Sequence, residues 1–348
     1  MPGRSAIGLD IGTSGVRAAE LSYGRGGMTL EKFGQVALPE GAVRDGMVVD
    51  RPVVVGALKA LWKGSGFRGK KVALGVANQQ VVVRQVDLPW MRASELKASL
   101  PLQVQDYLPM AVADSVIDFH VTEEVNDGGP RLLRGLLVAA SREMVMSNVA
   151  AVEAAGLRAT SVDLTSFAVL RSIGKPHAAV ATEALVDVGA RISNLVIHSG
   201  GQPRFVRVLL SGGQDVTDAV AERLGVPTAL AEGIKRGGPD ELSEQESELV
   251  TSAVDLMLEV FVDDIRSSLD YYGASNPQFP VERIVLSGGG SLLAGVAERL
   301  EQVTRKPVVL GDPVAGLHIG RTGLDAAQLS AVQPLAAVPV GLALGVIS

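Results

Sequence analysis

The sequence predicts an α/β protein made of two halves that begin alike, and three observations carry that prediction. Hydrophobic residues make up 47% of the chain but aromatics only 4%, so burial rests on Val, Leu, Ile and Ala in regular elements. Strand-like apolar runs alternate with stretches of helical periodicity, the pattern of an α/β architecture. The 348 residues exceed one ordinary core, and a segment past the midpoint repeats the plan of the N-terminus.

Residues 6–21 read as a β-hairpin: the apolar run Ala6-Ile7-Gly8-Leu9-Asp10-Ile11, the turn Gly12-Thr13-Ser14-Gly15, then a second partly alternating run. Residues 184–197 repeat it, with Asp187 at a strand end and Gly189 two residues on, as Gly12 follows Asp10. Between the hairpins, residues 141–155 have helical character, 159–164 form a buried strand and 166–173 another helix. Beyond the second hairpin, 217–224 make a short helix. A long amphipathic helix over 243–272 follows, with Val250, Val254, Met257, Phe261, Ile265 and Leu269 at spacings of three and four. Residues 282–286 are a buried strand ending in Ser287-Gly288-Gly289-Gly290-Ser291, and 292–303 the next helix. One region fits this scheme less well. Residues 86–91 lead into a helical stretch, then strands at 115–123 and 132–140 joined by the turn Asn126-Asp127-Gly128-Gly129-Pro130, which reads as an inserted subdomain. The sequence Arg236-Gly237-Gly238-Pro239-Asp240 reads as an exposed loop.

Composition also excludes functions. A net charge of −6 gives no broad attraction for nucleic acid or anionic lipid. Without cysteine there is no disulfide framework, thiolate metal site or cysteine nucleophile, which agrees with a reducing compartment. Residues 1–10 lack the apolar core of an export signal, and the apolar run 335–347 is shorter than a spanning helix and reads as a packed terminal helix. His120, His177, His198 and His318 have no metal-ligand spacing.

Glycine turns at strand ends leave backbone N–H groups open to phosphate oxygens, a task that suits Gly12, Thr13, Ser14 and Gly15. Asp10 and Asp187, one from each hairpin, would face each other across a cleft and hold a magnesium ion through its water shell, with Arg17 adding positive charge toward the phosphates. Asp-x-Gly hairpins are common as plain turns, and either alone reads as structural. The third turn reverses that reading, since Gly288, Gly289 and Gly290 permit close approach by a base or ribose.

These three turns, in this order, resemble the phosphate-1, phosphate-2 and adenosine motifs of the actin, Hsp70 and sugar-kinase superfamily, which implies an actin-like (RNase H-like) duplicated fold with a nucleotide cleft between two lobes. Within it, Asp87-Leu88-Pro89, Tyr107-Leu108-Pro109, Pro203-Arg204-Phe205-Val206-Arg207 with Ser211-Gly212-Gly213, and residues 265–272 resemble the PilM family of type IV pilus assembly proteins over nearly the full length. The resemblance divides the chain into a first lobe (1–85 with 141–184), an inserted subdomain (86–140) and a second lobe (185–348, its smaller subdomain about 213–284). It implies ATP and Mg2+ as cofactors. It adds Gly189, Ala190, Arg191, Gly213 and Ser291 to the nucleotide contacts, and it brings Glu232 and Lys235 to the adenosine, a pair otherwise read as a solvated ion pair at helical spacing.

Two departures shape the expected activity. Thr165 stands where actin has its hydrolytic Gln, and threonine is a poor general base, so ATP hydrolysis is expected to be weak or absent. The second phosphate turn has Ala190-Arg191 where many superfamily members have further glycine. The resemblance also implies partners: the cytoplasmic tail of a PilN-like membrane protein, other pilus platform proteins and self-association. The membrane is reached only indirectly, from a cytoplasmic position on its inner face. An FtsA-like division protein is the nearest alternative, lowered because residues 340–347 lack the basic face of a membrane-binding helix. A sugar or acetate-type kinase is another. It would need a catalytic base, for which Asp163 is the candidate, with helix capping its plainer role.

Overall fold

The computed structural model describes residues 4–24, 26–126, 128–174, 182–237 and 242–347. His177, Asp127 and residues 238–240, named above, lie outside them. In the first half, β1 (Arg4–Ile11) and β2 (Gly15–Gly24) form the expected hairpin and β3 (Gly27–Ala37) extends it antiparallel. Two short strands, β4 (Val43–Arg44) and β5 (Met47–Val48), lead to α1 (Arg51–Ser65) and then β6 (Lys71–Val76). Asp50 starts α1 by accepting the Val53 N–H at 3.1 Å, and Gly66 ends it in the left-handed region. The chain departs through β7 (Val82–Pro89), α2 (Ala93–Gln103), β8 (Ser115–Val125) and β9 (Leu132–Ser141). It returns through α3 (Arg142–Ala154), β10 (Arg158–Leu164) and α4 (Thr165–Ile173).

The second half repeats the opening. β11 (Thr182–Val188), β12 (Ser193–Ser199) and β13 (Gln202–Leu209) form an antiparallel meander, followed by α5 (Gly213–Leu224), α6 (Thr228–Lys235) and α7 (Glu244–Ser275). Then come β14 (Arg283–Ser287), α8 (Val296–Thr304), β15 (Val308–Leu310), β16 (His318–Ile319), α9 (Ala326–Val332) and α10 (Ala337–Ile347). The sheet orders are β10-β6-β1-β2-β3-β16 and β13-β12-β11-β14-β15. In each, the hairpin strand that ends in aspartate is flanked by a parallel strand on its other side, β6 for β1 and β14 for β11. The duplication read from two turns therefore extends to topology.

Between the sheets lie α4 and α10. Ala168, Val169, Leu170, Ala337, Val338 and Leu342 bury themselves against Ala73 of one sheet and Leu185, Val196 and Val285 of the other. This close packing requires two glycines. A Cβ on Gly8 would fall 2.0 Å from the Pro339 carbonyl oxygen, and one on Gly341 would fall 1.8 Å from that of Ala168. The run Ala326–Ile347 is long and apolar enough to cross a membrane by length and composition, but half of its most apolar window is buried inside the fold. Separate cores lie outside: α1 and α3 against the first sheet, and α7 and α8 against the second. A three-stranded sheet, β7-β9-β8, carries its own small core with α2, through Val86, Leu88, Leu96, Leu100, Phe119 and Leu137.

Two expectations need correction. Residues 159–164 are not a buried strand: β10 is the edge of the first sheet, and Thr160, Ser161 and Val162 are exposed. Ala159, Val162 and Leu164 suggest burial, but whether a strand lies inside a sheet or at its edge is set by neighbours distant in the chain. The helix expected from 292 begins at Val296, because Gly289–Leu292 winds first as a tight 3-10 turn.

Candidate functional site

Asp10 and Asp187 stand at the carboxyl ends of β1 and β11, the position at which open α/β sheets present ligand-binding groups. Asp10 lies opposite Arg17 in the hairpin register, with Oδ2 3.7 Å from Arg17 Nη1. Arg17 Nη2 reaches toward Ser14 Oγ at 3.5 Å, while its Nε is buried without a partner. The Gly12 N–H donates to the Gly15 carbonyl at 3.0 Å, and a Cβ on Gly12 would come within 3.3 Å of Arg17 Nη1. The first turn, Thr13 and Ser14 at its tip, is thus folded around a guanidinium. Burial pushes the Asp10 carboxyl up to about 6; Arg17 pulls it back and the charge of Asp187 pushes it further.

Asp187 is also buried, which raises its pKa against the bonds it accepts. The Ser287 hydroxyl donates to its Oδ1 at 2.8 Å, and the side chain of Asn194 bonds to it as well. Ser287 and Asn194 are its lateral neighbours on β14 and β12. The two carboxylates, from opposite halves, lie close enough for the charge of Asp187 to raise the Asp10 carboxyl. Among the described residues no group of three or more His, Asp or Glu side chains could hold a metal by itself. Two hard oxygen donors with Arg17 alongside fit instead a cation that keeps most of its waters and shares the rest with phosphate, as Mg2+ does.

The third turn packs onto the second. Gly288 has φ 81°, and a Cβ there would strike the Val188 carbonyl oxygen at 2.4 Å. A Cβ on Gly290 would lie 2.4 Å from Val188 Cγ1, and one on Gly289 3.1 Å from Leu335. The Ser291 hydroxyl is turned inward to the Gly288 carbonyl at 2.7 Å. The Gly213 N–H donates to the Gly189 carbonyl at 2.9 Å, and a Cβ on Gly213 would sit 3.7 Å from both Gly189 O and Lys235 Nζ and 3.8 Å from Gly290 Cα. Gly189, Gly213, Gly290 and Lys235 thus come together although they span a hundred residues of sequence. Lys235 Nζ donates to Gly213 O at 2.9 Å and Thr217 Oγ1 at 2.7 Å, and pairs with Glu232 at 2.6 Å. Burial would raise the Glu232 carboxyl, but bonds from Lys235 and Thr217 outweigh it and hold the group below the usual range.

Arg191 and Asp163 are placed differently. Arg191 Nη1 lies 3.1 Å from Asp215 and 2.6 Å from Asp218, both on α5, and Nη2 lies 3.2 Å from Glu40 in the first half. Its guanidinium bridges the two halves, while the Ala190 carbonyl caps α5 by accepting the Gln214 N–H at 2.7 Å. Asp163 is neither a free base nor a helix cap: it pairs with Arg171 on α4. Sequence reasoning passed over Asn194 and Thr217 and treated Ser287 only as part of a turn. An Asn directly before the apolar run Leu195-Val196-Ile197, at the end of β12 that pairs with Asp187, is the signal that would have marked Asn194.

The family model for type IV pilus assembly protein PilM matches residues 8–346. Cell division protein FtsA of Streptococcus pneumoniae is 24% identical over 343 residues, covering 85% of this chain and 73% of that one. FtsA of Pseudomonas aeruginosa is 26% identical, covering 89% and 84%. A solved structure of a PilM-PilN type IV pilus biogenesis complex superposes with a TM-score of 0.86 at 26% identity over 100% of both chains. The ethanolamine utilization protein EutJ of Carboxydothermus hydrogenoformans, at 15% identity and TM-score 0.54 over 99% of this chain and 90% of that one, shares the fold. The fold is the actin-like one, and with a family match that runs from the first hairpin to the end of α10, the chain belongs to the PilM family of type IV pilus assembly proteins.

Proposed function

We propose that this protein binds ATP with Mg2+ between its two halves and, in that form, receives the cytoplasmic tail of a PilN-like membrane protein within the inner-membrane platform of the type IV pilus. The observation that carries the reading is the convergence of Gly189, Gly213, Gly290 and Lys235 in the second half, with Asp187 close enough for its charge to raise the Asp10 carboxyl at the first turn. Asp10 and Asp187 hold the metal's water shell, Gly12 to Ser14 and Arg17 take the phosphates, and Gly213, Glu232, Lys235 and Gly288 to Ser291 take the adenosine.

Hydrolysis is slow or absent. The Thr165 hydroxyl donates to Asn194 Oδ1 at 3.1 Å and is not free to orient a water, and the ion pair of Asp163 with Arg171 argues against the kinase reading. ATP then acts as a structural ligand that stabilises the closed form by mass action.

The tail is received by the inserted subdomain, roughly residues 86–140. Within its sheet β8 is an edge strand, and Val116 and Val121 on it are exposed. An extended peptide adds to such an edge through main-chain hydrogen bonds, with side-chain pockets setting specificity. This tether holds the protein at the inner face of the cytoplasmic membrane.

Calorimetry with ATP, Mg2+ and the tail peptide of the PilN-like protein from the same genome tests the reading. Saturable ATP binding, tail binding and turnover below about 1 s⁻¹, the low end of ordinary enzymes, are expected. Absence of ATP binding removes the nucleotide assignment, absence of tail binding removes the pilus assignment, and brisk turnover removes the structural role of ATP.

A further inference from the structure

Resting on the nucleotide reading, we propose that Asn194, Thr165 and Ser166 form a clasp through which occupancy of the metal site at Asp187 is transmitted to the first half of the molecule. Thr165 and Ser166 open α4 at the same end of the first sheet as Asp10, since β10, β6 and β1 run parallel. Both hydroxyls donate to Asn194 Oδ1, at 3.1 and 3.0 Å. An amide oxygen has two lone pairs, and both are used here, so the amide group is held with its N–H donors toward Asp187. Asn194 completes the chain by bonding to the Asp187 carboxylate, whose other partner is Ser287.

All five side chains are buried, so water does not substitute for a lost partner. When Asp187 shifts toward a cation, Asn194 must follow or leave a buried polar group unpaired, and its oxygen draws the start of α4 with it. Because α4 packs with α10 between the two sheets, a shift at its first turn is a shift of one half against the other. Thr165 and Ser166 are therefore positioning residues, and coupling through them needs no contact with the nucleotide.

The chain has no cysteine, so Lys63→Cys on α1 and Glu222→Cys on α5, both exposed, accept spin labels without a background. The experiment compares this labelled protein with the same protein carrying Thr165→Val and Ser166→Ala. It measures ATP affinity with and without Mg2+, and the distance distribution between labels in both states. In the parent protein, Mg2+ tightens ATP binding and changes the distance. In the clasp variant, affinity without Mg2+ stays within about twofold, the tightening by Mg2+ falls about tenfold, and the distance no longer responds. The exchange Thr165→Ser with Ser166→Thr keeps both hydroxyls and restores the response, which a purely structural role of the side-chain volumes does not predict. If the double apolar variant fails to fold, Thr165→Val alone shows the same loss in smaller measure. A clasp variant with the parent's Mg2+ ratio and distance change overturns the clasp and leaves ATP binding standing. A parent protein that binds no ATP overturns both.

Discussion

The two hairpins carry the same aspartate at the same strand end, yet they neutralise it in different ways. Asp10 faces a charged neighbour, Arg17, at 3.7 Å, and that guanidinium still has one buried N–H group without a partner. Asp187 faces fixed, neutral neighbours, Ser287 and Asn194, each seated on an adjoining strand. The difference shows how a duplicated motif divides its labour. A cation-paired carboxylate exchanges its partner readily for a metal and a phosphate, whereas one held by an amide and a hydroxyl is tied into the sheet and, through it, into the rest of the fold.

The largest effect expected from breaking this comparison is on metal-dependent binding. Asp10→Ala and Asp187→Ala each remove one of two hard oxygen donors, and each is expected to weaken ATP affinity in the presence of Mg2+ about a hundredfold or more while changing metal-free affinity little. Isothermal calorimetry reads both, and undiminished affinity in either variant would remove that residue from the metal pair.

The next effect is on stability without ligand. Because the Asp10 pKa is about 6 in the fold against 3.8 when free, the folded state holds the proton more tightly, and stability falls as pH rises from about 4 to about 6, then stays level. Asp10→Asn abolishes that fall. The variant is expected to match the parent near pH 4 and to exceed it at pH 7.5 by up to roughly 3 kcal/mol, measured by denaturant unfolding at both values. Equal stability at pH 7.5 would mean that Arg17 already compensates the charge in full.

A smaller loss is expected from Ser287→Ala, which strips a hydroxyl donor from a buried carboxylate and costs about 1.5–3 kcal/mol. Its counterpart Ser14→Ala lies beside Arg17 at the longer distance of 3.5 Å and is expected to change stability by less than about 0.5 kcal/mol. Comparable losses in the two variants would dissolve the distinction between the hairpins. The smallest effect belongs to Glu40→Ala. It cuts the bridge from Arg191 to the first half but leaves the guanidinium paired with Asp215 and Asp218. An exposed pair of this kind is worth about 0–1 kcal/mol, and a melting shift of more than a few degrees would show that the bridge does more.

What could be read from sequence was what lies close in the chain. The two hairpins, α3, α4, α7 and β14 were legible because apolar periodicity and glycine turns are local signals. The wide separation of Gly189 and Gly290 did not hide them, since each sits in a turn with its own signature, whereas Gly213, which opens α5, came only from the family resemblance. The partners of Asp187 were hidden for the opposite reason. Asn194 and Ser287 become neighbours of Asp187 only through strand register, and Thr165 only through the packing of α4 between the sheets. The partners of Arg191, two carboxylates on α5 and Glu40 in the first half, were hidden as well, because they meet it only in the folded chain. The shape of β10 was illegible too, because whether a strand lies inside a sheet or at its edge depends on neighbours far away in the chain.

The seat of α10 has a consequence for folding. Gly8 on β1 is covered by Pro339 and Leu342 on α10, more than three hundred residues along the chain. A contact of such long sequence separation forms only after a large loop has closed, so the apolar face it covers is exposed in any partly folded state. A variant with α10 removed would present that face to chaperones and proteases.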